Sequence, residues 1–413
     1  MMETLNVYLN GIPTGVLAQA DSGLTFSYLP EYLRNRDARA LSNVFPLSDA
    51  VYSGSKTEAF FSNLLPDERI RQTLAQILKL SPENTFGLLR ELGEDCAGAI
   101  ALYRPGRDLE TRSKPEYLPL SEKQTSRILR RLDVQPLNVS EENTDFRLSG
   151  AGAQNKLIAC VFDGRVSLPL HGTPSTHIIK PGIPAYPYSV FNEFFCMKLA
   201  KKCGLSAAEC EILRFDSVPY YVTTRYDREI RDGVWTRIHQ EDFCQAIGTA
   251  PEKKYENEGG PGLVECANKI LEMRLRSSDY IAFIRLAVFN FIIGNGDAHA
   301  KNYSILYRDN GAQLAPAYDL ISTAVYPSLS KKMAMKIGED YSFARITRGK
   351  FTRFGERLGK GRQELVLNCL DEALDTVEPC AQQLAEELSQ TEPSPIYQAI
   401  LDGIRRRTNK LRR

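Results

Sequence analysis

Three observations predict an α+β fold with a strand-rich lobe followed by a helical one. Up to about residue 240, short runs of alternating or continuous apolar residues recur, the pattern of half-buried and buried strands. From Glu241 onward a helical period dominates. The chain has 413 residues, which at roughly 100–200 residues per domain allows two to three domains and a core that needs no staples.

The composition narrows the function. Apolar residues make up 43% and charged residues 25%, as in an ordinary soluble globular protein. Lys+Arg is 52 against Asp+Glu 51, a net charge of +1. That excludes a strongly basic nucleic-acid binder and an acidic disordered chain, while leaving room for local patches. Four histidines, His171, His177, His239 and His299, are too few for a His-rich metal site. The nine cysteines are scattered without any C-x-x-C and read as small buried hydrophobes in a reducing compartment. The N-terminus lacks the basic start and apolar run of a signal peptide. The longest apolar stretch, residues 281–294, is interrupted by Arg285 and Asn290 and falls short of the ~20 residues of a membrane span. A cytoplasmic, enzyme-sized protein is expected.

Each element has its own signal. Leu5–Leu9 alternates and ends at Asn10-Gly11, a hairpin turn, with Gly15–Ala18 as the returning strand. Residues 56–65 and 67–78 are helical, the second with acids in its first turn. The polar, Pro-bearing stretch 105–116 marks a first boundary. Residues 122–132 form a short helix, followed by strands at 157–162, 165–170 (after the Asp163-Gly164 turn) and 176–180. A helix over 188–202 ends at Cys203-Gly204, and 219–225 is a strand. Helices follow at 278–293 and 362–388, the latter expected to split at Pro379. A hairpin pairs 303–308 with 313–318. The expected domains are 1–105, an N-terminal subdomain; 106–240, the strand-rich lobe; and 241–413, the helical lobe.

The stretch Gly294-Asn295-Gly296-Asp297-Ala298-His299-Ala300-Lys301-Asn302 lies between an apolar helix and a strand, so it forms a tight loop on buried supports. Protein kinases use Asp-x4-Asn there, the Asp accepting the substrate hydroxyl proton and the Asn holding magnesium. Asp319, after the next hairpin, stands where a kinase places its main magnesium ligand, an oxygen donor as that ion requires. Helix and turn capping is the alternative use of these polar residues. Lys180 ends a strand written His-Ile-Ile-Lys, where a Lys pairs nucleotide phosphates. Glu193 lies in an apolar stretch of the next helix, costly unless paired or exposed. It is either the partner of Lys180 or an exposed acid beside the apolar stripe. Gly150, Ala151, Gly152 and Ala153, with Lys156, form a small-residue loop whose amides can approach phosphate; a plain connection is the alternative. His299 either orients Asp297 or a phosphate, or makes a structural hydrogen bond. Lys301 either offsets phosphate charge or is a surface lysine. The four kinase-type parts occur in kinase order, and a protein-kinase-like bilobal fold follows.

At these residues the sequence resembles the HipA family of bacterial serine/threonine kinases, toxins of HipBA toxin–antitoxin modules. The resemblance covers nearly the whole chain. It is carried by residues 149–156 (SGAGAQNK), 176–180 (THIIK), 192–197 (NEFFCM), 240–245 (QEDFCQ), 254–262 (KYENEGGPG), 296–302 (GDAHAKN) and 318–322 (YDLIS). It implies ATP- and Mg²⁺-dependent phosphorylation of a protein, with Asp297 as base, Asn302 and Asp319 as magnesium ligands, and Lys180 on the phosphates. It also implies a hinge against adenine over Gln240, Glu241 and Phe243. Ser149 matches the family's autophosphorylated serine, whose added charge would repel ATP. Well-studied members phosphorylate an aminoacyl-tRNA synthetase such as glutamyl-tRNA synthetase, causing growth arrest and persistence; other members have different targets. A HipB-type helix-turn-helix antitoxin is the implied partner, with operator DNA reached mainly through that complex, helped at most by the basic segment 405–413. Gly150 and Ala298 depart from the branched apolar residue and the Gly common in the family. A small-molecule kinase and a non-catalytic co-repressor are the alternatives that share these parts.

Overall fold

The computed structural model describes residues 2–106, 115–132 and 154–412. The chain divides into two compact units, one of Met1–Pro181, Leu213–Glu252 and Leu306–Asp309, the other of Gly182–Ile212, Lys253–Ile305 and Asn310–Arg413.

The first unit begins with β1 (Glu3–Leu9), β2 (Ile12–Ala20), β3 (Gly23–Tyr28), α1 (Pro30–Leu33), β4 (Tyr52–Ser53), α2 (Ser55–Ser62), α3 (Glu68–Leu78), α4 (Thr85–Leu92) and β5 (Ile100–Tyr103). The strands pair antiparallel in the order β4-β3-β2-β1-β5. Asn10 and Gly11, at φ 53° and 76°, make the tight β1–β2 turn that the sequence announced. Leu5, Val7, Leu17 and Phe26 point into one core with Phe45, Phe60 and Phe61. Gly15 is required there, because a Cβ would lie 2.4 Å from the Phe26 ring and 2.6 Å from the Ser27 carbonyl.

Next come β6 (Glu116–Pro119), α5 (Glu122–Arg131), β7 (Leu157–Phe162), β8 (Arg165–Leu170) and β9 (His177–Lys180); α6 (Ser189–Lys202) belongs to the second unit. Then follow β10 (Cys210–Phe215), β11 (Val218–Thr224), β12 (Arg228–Arg231), β13 (Val234–Arg237), β14 (His239–Asp242) and the short α7 (Phe243–Ile247). The order β10-β11-β9-β7-β8-β6 makes a six-stranded sheet, with a core around Leu157, Ala159, Ile179 and Val222. Ser121 and Gln124 close a capping box on α5.

A buried charge cluster ties this unit together. Arg225 grips Asp227 through two bonds, 3.0 and 2.7 Å, and Arg228 and Arg237 converge on Asp95 at 3.3 and 2.9 Å. Ser175 and the Gly98 amide supply further bonds to the two carboxylates, at 2.7 Å each. Burial alone would raise Asp227, but Arg225 and Arg228 prevail and hold its carboxyl below the usual range.

The second unit adds α8 (Leu263–Glu272), α9 (Ser277–Ile293), β15 (Ser304–Arg308, shared with the first unit), β16 (Gly311–Leu314), β17 (Lys332–Ile337), β18 (Asp340–Ser342), α10 (Arg348–Arg357), α11 (Arg362–Thr391) and α12 (Ile396–Arg412). Phe283, Ile284, Val288, Ile292 and Ile293 of α9 are fully buried, which accounts for its near-continuous apolar sequence. α9, α6, α10 and α12 all pack against α11.

One expectation is corrected. Pro379 does not split its helix: α11 runs 30 residues through it. Its neighbours Val377 and Ala381 are buried in the helical packing, and Arg412 donates to the Leu374 carbonyl at 2.6 Å one turn upstream. Proline removes one ladder bond, and side-chain packing holds the remainder continuous. The basic segment 405–412 is helical. It completes α12, where Arg405 pairs with Glu378 at 3.4 Å and Arg407 donates to the Ile292 carbonyl at 2.7 Å. Burial lowers Arg407 to about 10. All nine cysteines are free and seven are buried, as expected of small hydrophobes. No helix among the described residues is long and apolar enough to cross a membrane.

Candidate active site

The apolar helix α9 ends at Gly294, whose φ of 77° is the left-handed turn that glycine allows. Amides of Gly294 and Asn295 bond back to Phe291 and Asn290 at 3.1 and 2.9 Å, so the chain leaves the helix in one fixed direction. Asn290, Asn295 and Tyr303 continue that order inward. Tyr303 Oη accepts from Asn290 at 3.0 Å, Asn290 accepts from Asn295 at 2.9 Å, and Asn295 Oδ1 accepts the Asp297 amide at 3.0 Å. On the other side Thr323 Oγ1 accepts the Gly296 amide at 2.7 Å.

Asp297 is thereby held in a half-buried position, open enough to meet a substrate. Its carbonyl accepts the His299 amide at 2.8 Å and the Asn302 side-chain amide at 2.9 Å. Tyr255 Oη donates to its carboxylate Oδ1 at 2.6 Å. With the Asn302 nitrogen committed to Asp297, the Asn302 amide oxygen is the atom suited to a cation. His299 is buried, its ring edge-on to Tyr255 at 5.2 Å. Lys301 is only 6% exposed, which overturns its reading as a surface lysine.

Asp319 has φ 58°, unusual for a residue with a side chain. The chain on either side of it is tied down. Upstream, Ala317 exchanges backbone bonds with Ser206 and Ala208 at 2.8 and 2.9 Å. Downstream, the fully buried Asn192 of α6 accepts the Ser322 amide at 2.8 Å and donates to the Ser322 carbonyl at 3.0 Å. A residue held out of its relaxed backbone region by contacts on both sides is what a site that must fix an oxygen ligand requires. Among the described residues no group of three or more His, Cys, Asp or Glu could hold a metal. Asn302 and Asp319 carry one amide oxygen and one carboxylate, too few donors for magnesium unless phosphate and water complete its shell.

The remaining predicted parts belong to other elements. Lys180 ends β9 in the first unit, 7% exposed, with its ammonium 5.6 Å from the centre of the Tyr221 ring on the paired strand. Glu193 is buried in α6 of the second unit, so its reading as an exposed acid does not hold. Lys156 is half-buried, and Gln154 donates to the Pro181 carbonyl at 3.1 Å. Ser149, Gly150, Ala151, Gly152 and Ala153 lie outside the described residues.

The Gln240–Phe243 segment is strand β14 and the start of α7, both in the first unit. Glu241 is fully buried and faces inward. It accepts from Ser42 Oγ at 2.5 Å, from the Asn43 amide at 3.4 Å and from the Tyr307 hydroxyl. Burial pushes it up to about 7 against those bonds. Its carboxyl is thus a tie to loop 41–43, and any hinge contact it makes with adenine is a backbone contact. His239 adds a second tie, its Nε2 lying 2.8 Å from the Leu41 carbonyl, and burial lowers it to about 4. Phe243 is wholly buried, while Gln240, half-buried, accepts from Tyr226.

Sequence reasoning missed Tyr255, Asn192 and Asn295. Tyr255 and Asn192 lie within quoted motifs, yet nothing in their spacing connects them to Asp297 or to the Asp319 segment. Asn295 lies within the 294–302 loop but reads as one more turn residue.

Comparison with known proteins places this geometry. Residues 148–386 match the HipA-like C-terminal domain and residues 5–103 the HipA N-terminal domain. Y4mE of Sinorhizobium fredii is 39% identical over 91% of this chain and 91% of its own length. The serine/threonine-protein kinase toxin HipA of Shewanella oneidensis is 31% identical over 88% of this chain and 86% of its own. A solved HipA of Shewanella oneidensis MR-1, in complex with HipB and its operator DNA, superposes with a TM-score of 0.85 at 25% identity, covering 100% of this chain and 97% of that one. The fold is therefore of the α+β, kinase-like class. The chain belongs to the HipA family.

Proposed function

We propose that the chain is an ATP- and Mg²⁺-dependent serine/threonine protein kinase acting as the toxin of a toxin–antitoxin module. The observation that carries this is the Asp297 loop. A half-buried carboxylate stands on a backbone fixed from both sides, with Asn302 bonded to its carbonyl and Asp319 held in a forced conformation further along. Family membership supports the same reading.

In this reading the Asp297 carboxylate accepts the proton of a substrate serine or threonine hydroxyl. Asn302 and Asp319 would hold magnesium, which neutralises phosphate charge when bound. Lys180, with Glu193 as its partner, would hold the nucleotide phosphates beside the 150–156 loop. Lys301 would offset charge during transfer, and His299 would steady the loop. Backbone of the Gln240–Phe243 segment would face adenine. Ser149 would be the autophosphorylation site, the charge added there turning ATP away. A HipB-like antitoxin would be the partner, reaching operator DNA for the complex, and the target a translation protein such as an aminoacyl-tRNA synthetase. Residues 1–105, 106–240 and 241–413 would be the N-terminal subdomain and the two kinase lobes.

The test is transfer of ³²P from ATP into proteins of a bacterial extract, together with growth on induction. Asp297→Asn and Asp319→Asn are each expected to abolish the labelled protein band and the growth arrest. Arrest undiminished in both variants refutes the proposal, and label confined to small molecules favours a small-molecule kinase. Mass spectrometry of the purified chain is expected to find phosphate on Ser149.

A further inference from the structure

We propose that Tyr255 is a positioning residue that sets the rotation of the Asp297 carboxylate for proton transfer. This rests on the reading of Asp297 as the base. The backbone of Asp297 is fixed by Asn295 and Asn302, but those bonds leave the carboxylate plane free to turn. Tyr255 Oη, 2.6 Å from Oδ1, is the contact that stops it. A carboxylate has two oxygens. With Oδ1 committed to the phenol, Oδ2 is presented to the substrate hydroxyl in one orientation. The proton then passes to Oδ2 as the hydroxyl oxygen bonds to the γ-phosphorus. The β–γ bridging bond breaks, and its electron pair leaves on ADP.

The loop that carries Tyr255 is built to hold that hydroxyl in place. Its carbonyl accepts amides of Glu258 and Gly260, both at 3.0 Å, closing a tight turn. Gly260 is the residue that lets the turn close, since a Cβ there would lie 1.9 Å from the Lys253 carbonyl. Glu256 anchors the turn to β17, accepting the Lys336 amide at 2.7 Å and pairing with its ammonium at 2.9 Å. The ring is fixed as well, with Lys254 5.5 Å from its centre and His299 edge-on at 5.2 Å. The Lys-Tyr-Glu-Asn-Glu-Gly-Gly motif therefore has a purpose that its spacing alone does not reveal: it delivers one phenol to the base.

Tyr255→Phe keeps the ring and removes only the hydroxyl. In ³²P transfer from MgATP into the chain itself and into bacterial-extract proteins, it is expected to lower kcat roughly tenfold, the scale of one charge-assisted hydrogen bond. KM for ATP and the melting temperature stay at wild-type values, a split that a merely structural role would not produce. Tyr255→Leu, which also removes the ring from His299, is expected to lower kcat at least as far. Inactive Asp297→Asn with Tyr255→Phe at the wild-type rate overturns this inference alone, as does a Tyr255→Phe that is faster, which would make the phenol a block. Asp297→Asn that labels as well as wild type overturns the reading of the base and this inference with it.

Discussion

Replacing Asn192 with alanine probes how the segment that follows Asp319 is held. Asn192 is fully buried and its side chain makes four bonds: to the Ser322 amide at 2.8 Å, to its carbonyl at 3.0 Å, to Tyr326 Oη at 3.2 Å and from Cys196 Sγ at 3.5 Å. Alanine leaves the Ser322 amide and carbonyl without their Asn192 partners at a residue of zero exposure. Each abandoned buried group costs about 1–3 kcal/mol. Tyr326 Oη keeps the Pro187 carbonyl as an acceptor at 3.2 Å, so its loss adds little. The expected destabilisation is about 3 kcal/mol, read as a fall in the urea midpoint at unchanged slope. Asp319 lies three positions before Ser322, so MgATP binding should weaken in Asn192→Ala even at temperatures where the chain stays folded. Tyr326→Phe, which removes the Asn192 and Pro187 contacts of one hydroxyl but leaves both Ser322 groups paired, should cost less. A loss below about 1 kcal/mol for Asn192→Ala, or equal losses in the two variants, refutes the idea that Asn192 carries the segment.

Stability should respond to pH with two opposed contributions. Burial raises Glu241 from its ordinary 4.5 to about 7, so its contribution is full below 4.5 and is lost as pH rises through 7. Burial lowers His177 and His239 from 6.5 to about 4, so theirs is full above 6.5 and is lost as pH falls through 4. Glu241→Gln removes the opposing slope, and its urea midpoint should fall more steeply than wild type between pH 7 and 5; parallel profiles would count against the buried-acid tie. Pro379→Ala restores a ladder donor in an otherwise unbroken helix and should stabilise the chain, by at most about 3 kcal/mol, in the same urea experiment. A loss of stability there would refute the view that packing overrides a local cost at Pro379.

How far the sequence could be read follows from the range of each signal. The β1–β2 hairpin was legible because Asn10-Gly11 determines its turn locally, and α9 because a long apolar run broken only by Arg285 and Asn290 has few other uses. The Asp297 loop was legible because its chemistry needs two side chains at a fixed short spacing. The continuity of α11 was not, since local propensity at Pro379 argues for a break and only packing against other helices overrules it. The inward turn of Glu241 was hidden because its partner Ser42 lies 199 residues away. Tyr255 and Asn192 were hidden for the same reason, at separations of 42 and 130. Motif spacing reports neighbours within a loop, whereas contacts between distant loops become visible only once the chain has folded.

The cluster of Asp95, Asp227, Arg225, Arg228 and Arg237 constrains how this protein can change over generations. Asp95 receives three arginines and Asp227 two, all but Arg237 buried below the level where water could replace a lost partner. Losing either aspartate leaves buried arginines short of counter-charge, at a cost of several kcal/mol, comparable to a whole domain's margin of stability. Losing one arginine leaves each aspartate another partner, so substitutions at the two aspartates are the ones expected to need a second, compensating change.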